Sequence, residues 1–156
     1  RRKEFESFGW EVDPPDPQDE AAFNSCKLDH SLRNGGKHKA LFDFYRDLIR
    51  LRKSNSALAK LDKDSLETQA CENAKVLFVR RWSDSDEVVI LHNFDESSRT
   101  ITLPIPQGHW RKQLDSAGEE WEGSGSPVPE YVVSDGEESI TLAAHSFVLL
   151  VRDNEE

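Results

Sequence analysis

Methionine is missing from all 156 residues, and cysteine occurs only twice. A chain without Met does not begin where translation begins, so the sequence reads as cut from something longer. Cys26 and Cys71 stand far apart and neither belongs to a C-x-x-C pair, which removes zinc-type spacing and a disulfide framework. Two reduced thiols are the expected state. No apolar run approaches the roughly 20 residues needed to cross a bilayer, and the first residues are charged where a signal peptide would be apolar. A cytoplasmic protein without membrane attachment is expected. Positive charge is scarce as well: 20 Lys and Arg face 30 Asp and Glu, a net charge of −10. The short basic runs Arg1-Arg2-Lys3 and Arg50-Leu51-Arg52-Lys53 do not reverse that field, so nucleic acid is not an expected partner.

Helical periodicity is confined to one long stretch. From His38 to Lys53 the apolar residues Leu41, Phe44, Tyr45, Leu48, Ile49 and Leu51 recur at the spacing of one helix face, with Lys39, Asp43, Arg46, Asp47 and Arg50 on the others. Asn34-Gly35-Gly36 closes this helix on one side and Ser54-Asn55-Ser56 on the other. So wide a stripe needs a large partner. If none is present, the helix should fold back on its own sandwich or drive self-association through 38–53, because wet apolar side chains forgo about 1.5 to 3 kcal/mol each.

Before the helix, residues 1–36 read as a long irregular connection, broken by Asp13-Pro14-Pro15-Asp16-Pro17. Asp16 is expected to cap a short helix with Pro17 at its first position and Ala21, Ala22 and Phe23 inside it. Long loops of this kind usually carry function, which makes Arg1, Arg2, Phe5 and Trp10 the candidate ligand-binding residues. After a polar crossing at 56–65 the period drops to two. Strands are expected at 67–71, 75–82, 87–94, 99–103, 109–114, 131–133, 139–142 and 146–152, separated by Ser-, Asp-, Gly- and Pro-rich turns. The fold class is therefore mainly β: an antiparallel sandwich of seven or eight strands preceded by a long loop and one amphipathic helix. The divisions are 1–58, 59–152 for the sandwich, and an acidic tail at 153–156.

Acidic pairs are frequent (Glu119-Glu120, Glu137-Glu138, Asp84 with Asp86), but they sit on turns. Glycosidic acid and base work needs two carboxyls at a fixed gap in a sheltered cleft. The five histidines form no H-x-x-x-H or H-E-x-x-H pair, and no G-x-S-x-G is present. Gly35-Gly36-Lys37 lacks both the earlier Gly and the following Ser or Thr of a phosphate loop. No metal, cofactor or catalytic residue is assigned. Trp82, Trp110 and Trp121 are either core residues or a sugar-stacking platform.

RRKEFESFGW at 1–10, DPQDEAAFNSCKLD at 16–29 and the helix FYRDLIRLRK at 44–53 with Ser56-Ala57-Leu58 behind it together resemble malto-oligosyltrehalose trehalohydrolases. These are glycoside hydrolases of the amylase superfamily. The resemblance implies that 1–36 is the loop after the last strand of a (β/α)8 barrel, 38–54 its last helix, and 66–151 the C-terminal β-domain. It also implies a parent enzyme that cuts the α-1,4 bond next to a terminal trehalose unit. Arg1 or Arg2 would hydrogen-bond sugar hydroxyls near the leaving trehalose, and Phe5 or Trp10 would shape the wall. The catalytic carboxylates would lie upstream, leaving this piece inert and dependent on the barrel of the same protein. Two other readings stay open: a carbohydrate-binding module, and the end of another amylase relative such as a glucan-branching enzyme.

Overall fold

Alternation of apolar and polar residues decides most of this architecture. The computed structural model describes residues 7–9, 16–60 and 62–153. The chain divides into two compact units, Arg1–Arg33 and Asn34–Glu156.

In the first unit, helix α1 spans Glu20–Ser25. Its cap differs from the expectation. Asp19, not Asp16, accepts the hydrogen bond from the Ala21 backbone N–H, at 3.0 Å. Asp16 is occupied by a turn one step earlier: its carbonyl accepts from Asp19 N–H at 3.1 Å and its carboxylate from Gln18 N–H at 2.9 Å. Pro17 therefore occupies the second position of a β-turn, which its fixed φ suits equally well. A 3-10 turn at His30–Asn34 follows.

The second unit begins with helix α2, Gly36–Ser54, and a single helical turn α3, Ser56–Ala59. Eight strands follow: β1 Leu66–Cys71, β2 Val76–Trp82, β3 Glu87–Asn93, β4 Arg99–Leu103, β5 Gly108–Asp115, β6 Tyr131–Ser134, β7 Glu138–Leu142 and β8 Ser146–Asp153. They form a six-stranded antiparallel sheet in the order β1-β2-β3-β8-β5-β6 and a two-stranded sheet, β4-β7. The register within β5-β8 shifts between Lys112 and Leu114. The mainly β antiparallel fold expected from the sequence is what the chain adopts.

Successive side chains on a strand point to opposite faces. On β2, Val76 and Phe78 are buried; on β3, Val89 and Leu91; on β8, Val148 and Leu150. These inner residues meet Leu103 of β4 and Ile140 and Leu142 of β7, and Trp110 of β5 completes the cluster. Trp110 is fully buried, and its indole N–H donates to the Pro106 carbonyl at 2.9 Å, so its one polar atom is satisfied. Where the chain passes from the large sheet to the small one, buried Asn93 donates from Nδ2 to the carbonyls of Ser97 (3.0 Å) and Ala143 (2.7 Å).

The other face of the large sheet is also apolar, and α2 covers part of it. Phe147 alternates with the core residues of β8, and its ring lies 5.9 Å from that of Phe44. Phe44 in turn meets Trp121 edge-on at 5.2 Å. Phe44, Leu48 and Leu51 are half-buried, whereas Leu41, Phe42, Tyr45 and Ile49 are 56%, 45%, 58% and 52% exposed. The expected stripe is thus divided: one half folds back on the chain's own sheet and the other faces outward.

The turn between β2 and β3 grips the chain as it leaves α2. Asp86 accepts hydrogen bonds from the Ser56 backbone N–H at 2.8 Å and from the Ser56 hydroxyl. Asn55, the N-cap of α3, accepts from Ala57 N–H at 3.1 Å. Hydrogen bonds to Ser56 hold the Asp86 carboxyl below its ordinary range.

Candidate functional site

The sequence pointed to Arg1, Arg2, Phe5 and Trp10, and all four lie outside the described residues. What can be built is the surface of the second unit, where tryptophans and carboxylates were the other candidates.

The three tryptophans separate cleanly. Trp110 belongs to the core and presents no face to a ligand. Trp82, at the end of β2, is half-buried, and the Arg80 guanidinium sits 4.8 Å from its ring, occupying a face a sugar would need. Trp121 is held in a 3-10 turn, Glu119–Trp121, against Phe44. Beside it, Lys37, Ala40, Leu41, Phe44, Ser116 and Glu122 border an open cleft of about 420 Å³. The Trp121 indole nitrogen is buried and has no partner among the described residues. No two of these rings form a shared platform, because one is inside the sandwich and each of the others is packed by its own neighbour.

The buried carboxylates are committed to structure. Glu87 is buried and accepts from Arg80 Nε at 2.6 Å and from Arg152 Nη1, while Arg80 also reaches Glu67 at 3.2 Å. Asp95, likewise buried, accepts from Arg99 Nη2 at 2.7 Å and from Ser97 N–H at 2.9 Å, with Lys75 Nζ at 3.4 Å. The Arg99 and Ser97 hydrogen bonds pull its pKa from 3.8 down to about 2. Asp115 accepts from Ala117 N–H at 2.8 Å and from the Ser126 hydroxyl. A general acid needs a raised pKa. Asp86 and Asp95 are shifted the other way, each by the donors that surround it.

His92 stacks between Phe94 and Phe147 at 5.7 Å from each ring, and burial pushes its imidazole below the ordinary histidine value. With Phe147, Phe44 and Trp121 it continues a row of rings from the β3 end to the cleft. The sequence offered no sign of this row, since its members come from four separate segments. Among the described residues, no group of three or more His, Cys, Asp or Glu side chains is placed to hold a metal ion, and no helix is long and apolar enough to cross a membrane.

The second unit is a six-plus-two antiparallel β-sandwich preceded by one amphipathic helix. It resembles parts of solved amylase structures. An α-amylase from H. orenii aligns with a TM-score of 0.58 at 20% identity, over 88% of this chain and 25% of that one. An Anoxybacillus α-amylase aligns with a TM-score of 0.54, again at 20% identity, over 76% and 23%. Residues 64–149 match the family described as "Domain of unknown function (DUF3459)", and the chain belongs to that family. Among curated relatives, a malto-oligosyltrehalose trehalohydrolase from Deinococcus radiodurans is 37% identical over 103 residues, and one from Rhizobium sp. is 38% identical over 109. These matches cover 65% and 68% of this chain and 17% of each relative. A Mycobacterium tuberculosis protein of the same name is 40% identical over 82 residues, 52% of this chain and 14% of its own length. The resemblance drawn from the sequence is borne out: the chain matches a stretch of proteins named malto-oligosyltrehalose trehalohydrolase and spans about a sixth of the length of the first two.

Proposed function

We propose that the chain is the C-terminal part of an enzyme that hydrolyses the α-1,4-glucosidic bond next to a terminal trehalose unit, releasing trehalose in the cytoplasm. The observation that carries this reading is the 37–40% identity to relatives bearing the malto-oligosyltrehalose trehalohydrolase name. On this reading α2 is the last helix of a (β/α)8 barrel and the sandwich is its support. The outward residues Leu41, Phe42, Tyr45 and Ile49 meet the upstream chain. Arg1 and Arg2 donate to sugar hydroxyls, and Phe5 and Trp10 shape the wall beside them.

The piece itself is not the catalyst. Retaining hydrolysis needs a carboxylate nucleophile about 5 Å from a protonated partner. The buried carboxylates here are instead held by arginines and by backbone or hydroxyl donors, and that supports placing the reacting pair upstream. Without the barrel, the outward half of α2 brings two copies of the piece together.

The test compares the intact protein with residues 1–156 on maltooligosyl trehalose, following trehalose release. The intact protein is expected to release trehalose and the piece to release none. Release by the piece, or release of only maltooligosaccharides by the intact protein, overturns the reading. Titration of the piece with maltooligosaccharides, followed by tryptophan fluorescence, should give no saturable change; a saturable one would favour a binding module.

A further inference from the structure

Asn34-Gly35 is the single Asn-Gly step in the sequence, and it falls where the fold leaves it open. Asn34 ends the 3-10 turn, and Asn34, Gly35 and Gly36 are all exposed. No hydrogen bond among the described residues fixes the Asn34 side chain. Gly35 is extended, with φ −162° and ψ 164°, and serves as the N-cap of α2 without a side-chain hydrogen bond. The Gly35 carbonyl accepts from Lys39 N–H at 3.3 Å, while with no Cβ at 35 and open space around that position the backbone nitrogen of Gly35 is unobstructed.

We propose that Asn34 is a site of spontaneous modification, converting to aspartate and isoaspartate through a cyclic imide. The Gly35 amide nitrogen, having lost its proton to solvent, attacks Cγ of Asn34. An N–Cγ bond forms, the Cγ–Nδ2 bond breaks, and ammonia leaves with a proton from water. Water then adds to one of the two imide carbonyls. Opening on one side gives aspartate; opening on the other gives isoaspartate, in which the main chain runs through the β-carbon.

The position gives the product a structural effect. Helix α2 has no acidic residue in its first turn, and that turn carries Lys37, His38 and Lys39. A new carboxylate directly before the N-cap supplies the negative charge that the helix dipole and these cations favour. The isoaspartate form also adds one methylene to the backbone at that point. Two other asparagines of the second unit, Asn55 and Asn93, offer a contrast. Asn55 precedes Ser56, is 9% exposed and has its side-chain oxygen held by Ala57 N–H. Asn93 is 1% exposed and donates two hydrogen bonds through Nδ2.

The experiment incubates the folded chain in mildly alkaline buffer beside a synthetic peptide of residues 30–39, with peptide mapping by mass and labelling by an isoaspartyl methyltransferase. The expected result is the mass gain of an amide-to-acid exchange at Asn34 in both, with methyl label on the same peptide and none on those containing Asn55 or Asn93. A Cβ at Gly35 meets nothing within 4 Å, so Gly35→Ala keeps the fold. That variant should slow conversion roughly tenfold by crowding the nitrogen and narrowing the backbone angles it can reach. Retention of the Asn34 amide in the folded chain while the peptide converts overturns the proposal. Conversion of Gly35→Ala at the parent rate overturns the assignment of the nucleophile.

Discussion

The two faces of the six-stranded sheet are both apolar, yet they are finished differently. The inner face is closed by β4 and β7 around Trp110, Phe78 and Leu91, none of which is exposed. The outer face is covered by a helix whose own stripe is half-used, with Phe44 against Phe147 and with Tyr45 and Ile49 more than half exposed. The first is a core that completes itself; the second has the form of an interface, with side chains still able to lose water. One sheet thus carries a face sealed by the chain's own strands and a face whose covering helix still leaves apolar side chains in water.

Substitutions on the two faces should separate these roles. Trp110→Ala removes the largest fully buried side chain and orphans the Pro106 carbonyl, and should cost about 3 to 5 kcal/mol in denaturant unfolding. Phe44→Ala on the outer face should cost less, about 1 to 1.5 kcal/mol, since its ring is only half-buried. If Phe44→Ala equalled Trp110→Ala, the outer face would be a true core and the contrast would fail.

The junction between the sheets gives an acid-sensitive measure of the self-completing side. Asp95 has a folded pKa of about 2, depressed from 3.8 by Arg99 and Ser97. A depressed carboxylate contributes stability that is present above its unfolded pKa and is lost as pH falls through the folded one. The stability gap between the parent and Asp95→Asn should therefore be full above pH 3.8 and narrow toward about 2. A gap constant over that range would contradict the ion-pair account. The smallest effect on stability is expected from Ile49→Ser, within about 0.5 kcal/mol because the side chain is mostly exposed. The same change should weaken self-association of the isolated piece in sedimentation, and an unchanged association would place the interface elsewhere.

Much of this was legible in the residues. Runs such as VLFVRRW and EVVILHNF are rich in β-branched and aromatic residues and end in Ser- and Asp-rich turns, and each strand lies within a residue or two of its expected limits. The helix was legible through its period of 3.6. Features made by distant partners were not. Ser56–Ala59 is too short for a periodic signal, and Asp86, 30 positions further on, satisfies its first backbone N–H. The assignment of β4 and β7 to a separate small sheet depends on non-consecutive pairing, which no local pattern encodes. Asp16 and Asp19 are both good caps, and only the intervening turn chooses between them. Among the tryptophans, strand position favoured packing over a sugar platform but did not say which ring packs where. Burial in the folded sandwich removes Trp110, and stacked Arg80 covers a face of Trp82.

The link leaving α2 bears on how this half of the molecule transmits force. Asn55 N–H bonds back to Leu51 at 3.0 Å, Ser56 is held by Asp86, and Arg81 Nη2 reaches the Lys60 carbonyl at 2.6 Å. Such a joint has no slack. A push along the helix axis reaches the β2-β3 hairpin directly instead of being absorbed by a swinging tether, so the helix behaves as a strut bolted to the sheet.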